Sequence, residues 1–232
     1  MCGRYILKTS PEHLQELFRI QRLKYRPEPQ YNIAPTQQVA AVVQSAKGTR
    51  GLIPLQWGLI PPWSKDGKPM INARSESAHE KPSFREAFRH QRCLIPANGF
   101  YEWKKHDKQP VFIYAKDQDT VAFAGLYSFW VNPKGEKIAS CAILTTEANA
   151  TIHDIHHRMP VMLHPEHYDT WLNKDITAPA QLQPLLQSYA PQQTGHYLVH
   201  PDINKVHHNS PENLEPYTPP EMPEQLGLDL IP

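Results

Sequence analysis

Apolar positions along this chain fall into short extended runs, and few stretches keep a helical period. Branched and aromatic residues dominate at residues 38–44, 52–60, 93–95, 100–103, 111–115, 121–131, 137–145 and 161–164. Each run is bounded by Pro, Gly or Asn, which predicts strands. Ser10 followed by Pro11 reads as a helix N-cap with proline in the first turn, and Leu14, Leu17 and Phe18 then share one helical face. Shorter helices are predicted at 83–92, 165–172 and 179–189. Strands and helices do not alternate regularly, which disfavours a doubly wound or eight-fold α/β architecture. The expected class is α+β, with a mainly antiparallel, curled or barrel-like β core and short peripheral helices. The expected organisation is one domain over residues 1–209. A tail follows at 210–232, with six prolines and five acidic residues, and is expected to stay unpacked except for its last apolar residues.

Composition narrows the class. The 232 residues include 24 prolines and 3 cysteines. Proline at about twice its usual share fits many turns and edge strands. Three unevenly spaced cysteines make neither a disulfide framework nor a zinc set. No apolar run reaches the roughly 18 residues of a membrane span, and the N-terminus lacks the apolar core of a secretion signal. An intracellular protein with no membrane partner is expected, and a monomer is the default. The net charge of +1 hides a division. Residues 1–110 hold 18 Lys and Arg against 9 Asp and Glu, whereas residues 111–232 hold 6 against 14. Either the first half meets an anionic partner, or the two halves pack on each other.

Phosphate-cradling glycine loops, dinucleotide fingerprints and G-x-S-x-G or H-E-x-x-H motifs are missing from the sequence. Candidate chemistry is concentrated elsewhere. His153, Asp154, His156 and His157 lie within five residues and offer either metal ligands or a single catalytic histidine. Cys2 would become the first residue if Met1 is removed, placing a thiol beside an α-amine. With a pKa of roughly 7.7–8.0, that amine is partly neutral near pH 7. Such an aminothiol reacts with an aldehyde as a Schiff base and closes through sulfur to a thiazolidine, although an ordinary early cysteine is the alternative. Cys93 and Cys141, in apolar runs, read as core. Glu102 sits between Tyr101 and Trp103. It is either a carboxyl whose charge burial disfavours, suited to proton transfer, or a wet-face residue paired with Lys104. Trp57, in an apolar strand, is assigned to the core; Trp63, after two prolines, to the surface, where it could stack on a base. Asn72 and Arg74 add an amide and a guanidinium.

Together these residues resemble the SOS response-associated peptidase (SRAP) family of abasic-site processing proteins. The likeness runs through Met1-Cys2-Gly3-Arg4-Tyr5, Tyr31-Asn32-Ile33-Ala34-Pro35 and Trp57-Gly58-Leu59-Ile60-Pro61. It continues with Ile71-Asn72-Ala73-Arg74-Ser75-Glu76 and with Arg92-Cys93-Leu94-Ile95-Pro96-Ala97 leading into Gly99-Phe100-Tyr101-Glu102-Trp103. It ends with Thr145-Thr146-Glu147-Ala148-Asn149 and Ile155-His156-His157-Arg158-Met159-Pro160. The resemblance implies that Cys2 forms a thiazolidine with the ring-opened sugar of an abasic site in single-stranded DNA. Asn72 would position the N-terminus, Glu102 would shuttle protons and support β-elimination, and His156 would stabilise the sugar oxygens. Arg4, Arg74 and Arg158 would hold flanking phosphates and Trp63 would pack on a neighbouring base. The family name implies self-removal of Met1. No metal and no cofactor is implied. Three rival readings remain: a thiol hydrolase using Cys2 and His156, a reversible reader of modified bases through Arg74 and Trp63, and a metal hydrolase on His153, His156 and His157.

Overall fold

The structure is a computed structural model, and it describes residues 2–220. In chain order the elements are β1 (Arg4–Leu7), α1 (Pro11–Leu17), β2 (Arg22–Leu23), β3 (Gln30–Ile33), β4 (Gln38–Gln44), β5 (Arg50–Trp57) and β6 (Asn72–Arg74). Then come α2 (Arg85–His90), β7 (Arg92–Ala97), β8 (Gly99–Trp103), β9 (Pro110–Ala115), β10 (Val121–Val131) and β11 (Lys137–Glu147). The chain finishes with β12 (Arg158–Pro160), β13 (Met162–Leu163), α3 (Tyr168–Leu172), α4 (Pro179–Leu182) and β14 (Thr194–Leu198).

Strands β11, β10, β7, β4 and β5 hydrogen-bond in that order, and β5 returns to β11 through a parallel pairing of Ser140 with Gln56 and Cys141 with Trp57. That last pairing closes the sheet into a five-stranded barrel, which leaves no open edge in the ring. A second, antiparallel sheet runs β14-β9-β8-β1-β3. Period-2 alternation gives its strands two apolar faces. Tyr5 and Phe100 reach into the barrel core, where Tyr5 meets Trp57 and Phe123 edge-on at 5.3 and 5.8 Å. Ile6, Tyr101 and Phe112 face the other way, into a smaller cluster with Val199 and Ile203. The all-apolar strands foreseen at β10 and β11 are therefore buried on both sides, not half-wet.

The N-cap is as expected: the Ser10 side chain accepts a hydrogen bond from the His13 N–H at 3.3 Å. The other helices are shorter than the sequence pattern predicts. Residues 165–172 divide into a 3-10 turn and α3, and α4 stops at Leu182, two residues before Pro184, whose missing N–H cannot continue a helix. The strand expected over 52–60 ends at Trp57, where Gly58 takes φ +135°.

Part of the segment expected to hang free is packed. Residues 211–214 form a 3-10 turn with Asn213 buried, Val199 bridges Pro216, and the Tyr217 N–H donates to the Leu198 carbonyl at 2.9 Å. The Tyr197 hydroxyl donates to the Leu214 carbonyl at 2.9 Å. The apolar end at 226–232, expected to dock, lies outside the described residues.

Candidate active site

Three neighbouring strands bring the candidate residues together. Near its C-terminal end, β11 is flanked on one side by β6, with Ile143 opposite Asn72 and Thr145 opposite Arg74. On its other side is β12, with Glu147 opposite Arg158. Asn72 and Arg74 thus arrive from one edge, and His156 and Arg158 from the other. The second sheet supplies the rest: Cys2 just before β1, and Glu102 on β8, which pairs with β1 through Arg4 and Tyr101.

Glu102 lies two positions after Phe100 and so points the same way, toward the core. It is 4% exposed. Burial pushes its carboxyl up to about 7. The wet-face pairing with Lys104 is thereby excluded. Cys2 is fully buried, and its thiol is pushed up by burial and then by the charge of Glu102. That thiol stays protonated near neutrality. The Asn72 amide donates from Nδ2 to the Cys2 carbonyl at 2.8 Å. Its Oδ1 is buried with no hydrogen-bond partner among the described residues, which leaves an acceptor facing the same space.

His156 Nδ1 lies 4.0 Å from Glu102 Oε1. Burial above all pushes the imidazole down to about 4. The two are therefore not an ion pair at neutral pH; the imidazole is uncharged and the carboxyl is divided between its two states. The backbone of Arg158 meets Nδ1 with both its N–H and its C=O at 3.0 Å, and the His157 ring stacks on His156 at 4.4 Å. Among the described residues no group of three His, Cys, Asp or Glu side chains is gathered in the way a metal ion requires.

The arginines divide. Arg74 is exposed and, with His153, His157, Glu147 and Arg158, lines a cavity of about 370 Å3 beside His156. Arg4, expected on a phosphate, is held within the protein: Nη1 donates to Asn32 Oδ1 at 2.6 Å and to the Ile203 carbonyl at 2.8 Å. Arg158, given the same expectation, is 7% exposed and forks onto Glu76 at 2.7 and 2.9 Å, with a further bond to the Thr145 carbonyl. A guanidinium reads the same in sequence whether its carboxylate or carbonyl partners sit near or far, so pattern reasoning could not separate the three. Trp63 is 62% exposed, on a loop braced by Trp130, whose indole donates to the Ser64 carbonyl at 2.8 Å. Trp57 is core, with Cys93 and Cys141.

Several supporting residues went unassigned by sequence reasoning. Asn149 donates to the Tyr189 carbonyl and Thr194 Oγ1 at 2.7 and 2.8 Å, while its Oδ1 accepts from the Thr151 N–H at 3.1 Å. It thereby folds the loop that delivers His156. Asn32 holds the Arg4 clamp, and Glu76 holds Arg158. Both Asn149 and Glu76 stand within the sequence blocks that carry the family resemblance, and that was the available signal.

The sequence model described as SOS response associated peptidase (SRAP) matches residues 1–206. The chain is 44% identical over 223 residues to the abasic site processing protein YoqW of Bacillus subtilis (strain 168), covering 93% of this chain and 99% of that one. It is 34% identical over 184 residues to the abasic site processing protein YedK of Escherichia coli (strain K12), covering 76% and 82%. Among solved structures, a protein from Bacteroides thetaiotaomicron superposes with a TM-score of 0.84 at 26% identity, covering 94% of this chain and all of that one.

Proposed function

This chain belongs to the SOS response associated peptidase family, and on that premise we propose that it processes abasic sites in DNA by bonding to them covalently through Cys2. The observation that carries the reading is the gathering of Asn72, Glu102 and His156 around the Cys2 end of β1. Once Met1 is removed, the Cys2 amine attacks the C1′ aldehyde of the opened sugar. The carbinolamine oxygen takes a proton and leaves as water. The thiol then adds across the C=N bond, sulfur joining carbon and the thiol proton passing to nitrogen, so that aldehyde and aminothiol give thiazolidine and one water. A carboxyl poised near 7 suits both proton transfers. Neutral His156 can donate to the sugar oxygen without a competing charge. Glu102 is also placed to take the sugar proton in β-elimination, and the same groups serve release of Met1.

Arg74, exposed beside the cavity, holds a flanking phosphate, and Trp63 stacks on a neighbouring base of a single strand. A lesion without a base leaves only backbone and stacking contacts to bind. Among the described residues no helix is long and apolar enough to cross a membrane, and a monomeric protein acting on DNA fits this reading.

The test is to mix the protein with a single-stranded oligonucleotide carrying one abasic site and to run denaturing electrophoresis. A slower-migrating adduct is expected, lost in Cys2→Ala and reduced in Asn72→Ala. An adduct of full yield and stability in Cys2→Ala would overturn the thiazolidine. Chelator-sensitive hydrolysis without adduct would favour a metal hydrolase, and turnover of external peptides a thiol hydrolase.

A further inference from the structure

Arg158 is a buried cation on β12, two residues after His156, and its counter-charge comes from across the barrel wall. Thr145 on β11 lies between β6 and β12, opposite Arg74 on one side and Pro160 on the other. The Arg158 side chain spans that strand. It bonds the Thr145 carbonyl on the way and ends in a two-point fork on Glu76, just beyond β6. The fork bolts β12 to the β6 end over β11. Against the burial that would raise it, the Arg158 hydrogen bonds hold the Glu76 carboxyl below its ordinary value, so the pair is ionised at neutral pH.

The other end of Arg158 is what His156 touches. Its backbone N–H donates to Nδ1 at 3.0 Å. A backbone N–H can only donate, so it favours an imidazole with Nδ1 bare and the proton on Nε2. The carbonyl of the same residue, also 3.0 Å from Nδ1, would favour the opposite tautomer if the peptide tilted. A small rotation of this one backbone unit therefore decides which ring nitrogen carries the proton. The loop is pinned at its start by Asn149 and at its end by the Glu76–Arg158 fork.

We propose that Glu76 is a positioning residue for His156: by holding Arg158 it fixes the peptide that keeps the neutral imidazole in its Nε2–H form, ready to donate to substrate. The consequence for catalysis rests on the function proposed above, in which His156 acts on the opened sugar. The tautomer itself does not, so the two can fail separately. In this role Arg158 works through its backbone, and the flanking phosphates are left to Arg74.

The test uses the full chain and two variants. Glu76→Gln keeps the side-chain shape but loses the charge; Glu76→Asp keeps the charge. Long-range 1H–15N NMR of the DNA-free protein should show the His156 proton on Nε2 in the parent and in Glu76→Asp. It should show a mixture of tautomers in Glu76→Gln. With a saturating abasic oligonucleotide, adduct formation in Glu76→Gln should slow roughly 10- to 100-fold, as displaced catalytic groups do. Affinity for intact single-stranded DNA should be unchanged. If Glu76→Gln folds poorly, Glu76→Asp against the parent still reads the tautomer and the rate. An unchanged tautomer and rate in Glu76→Gln would overturn the proposal. So would tighter DNA binding at an unchanged rate, which would make Arg158 a phosphate ligand restrained by Glu76. An altered tautomer in a protein whose parent forms no adduct would uphold the positioning and defeat the functional reading.

Discussion

Replacing Glu102 with Gln should make the protein more stable at pH 8 while removing much of its chemistry. Raising the carboxyl from its ordinary value of 4.5 to about 7 makes ionisation inside the fold cost about 3 kcal/mol more than in the unfolded chain, at about 1.36 kcal/mol per tenfold change in the equilibrium. The sign follows from proton counting. Between pH 4.5 and about 7 the folded state holds more of this proton than the unfolded state, so stability falls as pH rises. The cost is absent below that window and complete above it. Gln is neutral throughout and fills the same space, but its amide must find acceptors, which takes back about 1–2 kcal/mol. The expected net gain at pH 8 is about 1–2 kcal/mol, or roughly 2–8 °C in Tm for a domain of this size. Urea unfolding of parent and variant at pH 4, 6 and 8 measures it, with adduct yield followed in the same samples. A variant destabilised equally at all three pH values would refute the reasoning, because the carboxyl would then be stabilised by its surroundings and not strained by burial.

Two further outcomes are expected. The rate of adduct formation should rise with pH through about 7 as Glu102 loses its proton, and stopped-time gels across pH 5–9 should show Glu102→Gln without that limb. His156, pushed down to about 4, should add no inflection above pH 5. Trp130→Leu should weaken binding of intact single-stranded DNA roughly tenfold, the order of one base–aromatic stack. It removes the indole bond to Ser64 and empties the place where Trp130 covers Gly67, freeing the Trp63 loop. Fluorescence anisotropy checks this, and an affinity equal to the parent's would show that the loop needs no brace.

Much of the strand pattern was legible in the sequence, because apolar runs bounded by proline, glycine and asparagine can do little else. Helix length was less legible. The 165–172 and 179–189 segments have helical spacing, yet they break into single turns where proline removes a donor and the barrel wall, not helix propensity, sets the path. The tail was misjudged for a similar reason. Its proline and acid content argues against a core of its own, but Tyr197 and Leu198 on β14 offer ready-made hydrogen-bond partners to residues 214–217.

By itself, then, the sequence determined which chemical groups are present and in what order: a cysteine that can become N-terminal, an amide, a carboxyl, a histidine loop and an excess of cations in the first half. Tertiary structure decided the state of each group. Closing the barrel through Cys141 and Trp57 sets the frame on which β6 and β12 flank β11 and bring Asn72 and His156 together. Burial beside Phe100 turns an ordinary glutamate into a carboxyl poised near 7. Charge partners divide three arginines that look alike on paper into one exposed cation and two internal clamps. The physical reason is the same in each case. Desolvation and pairing depend on distances between residues far apart in the chain, and those distances exist only once the fold has formed.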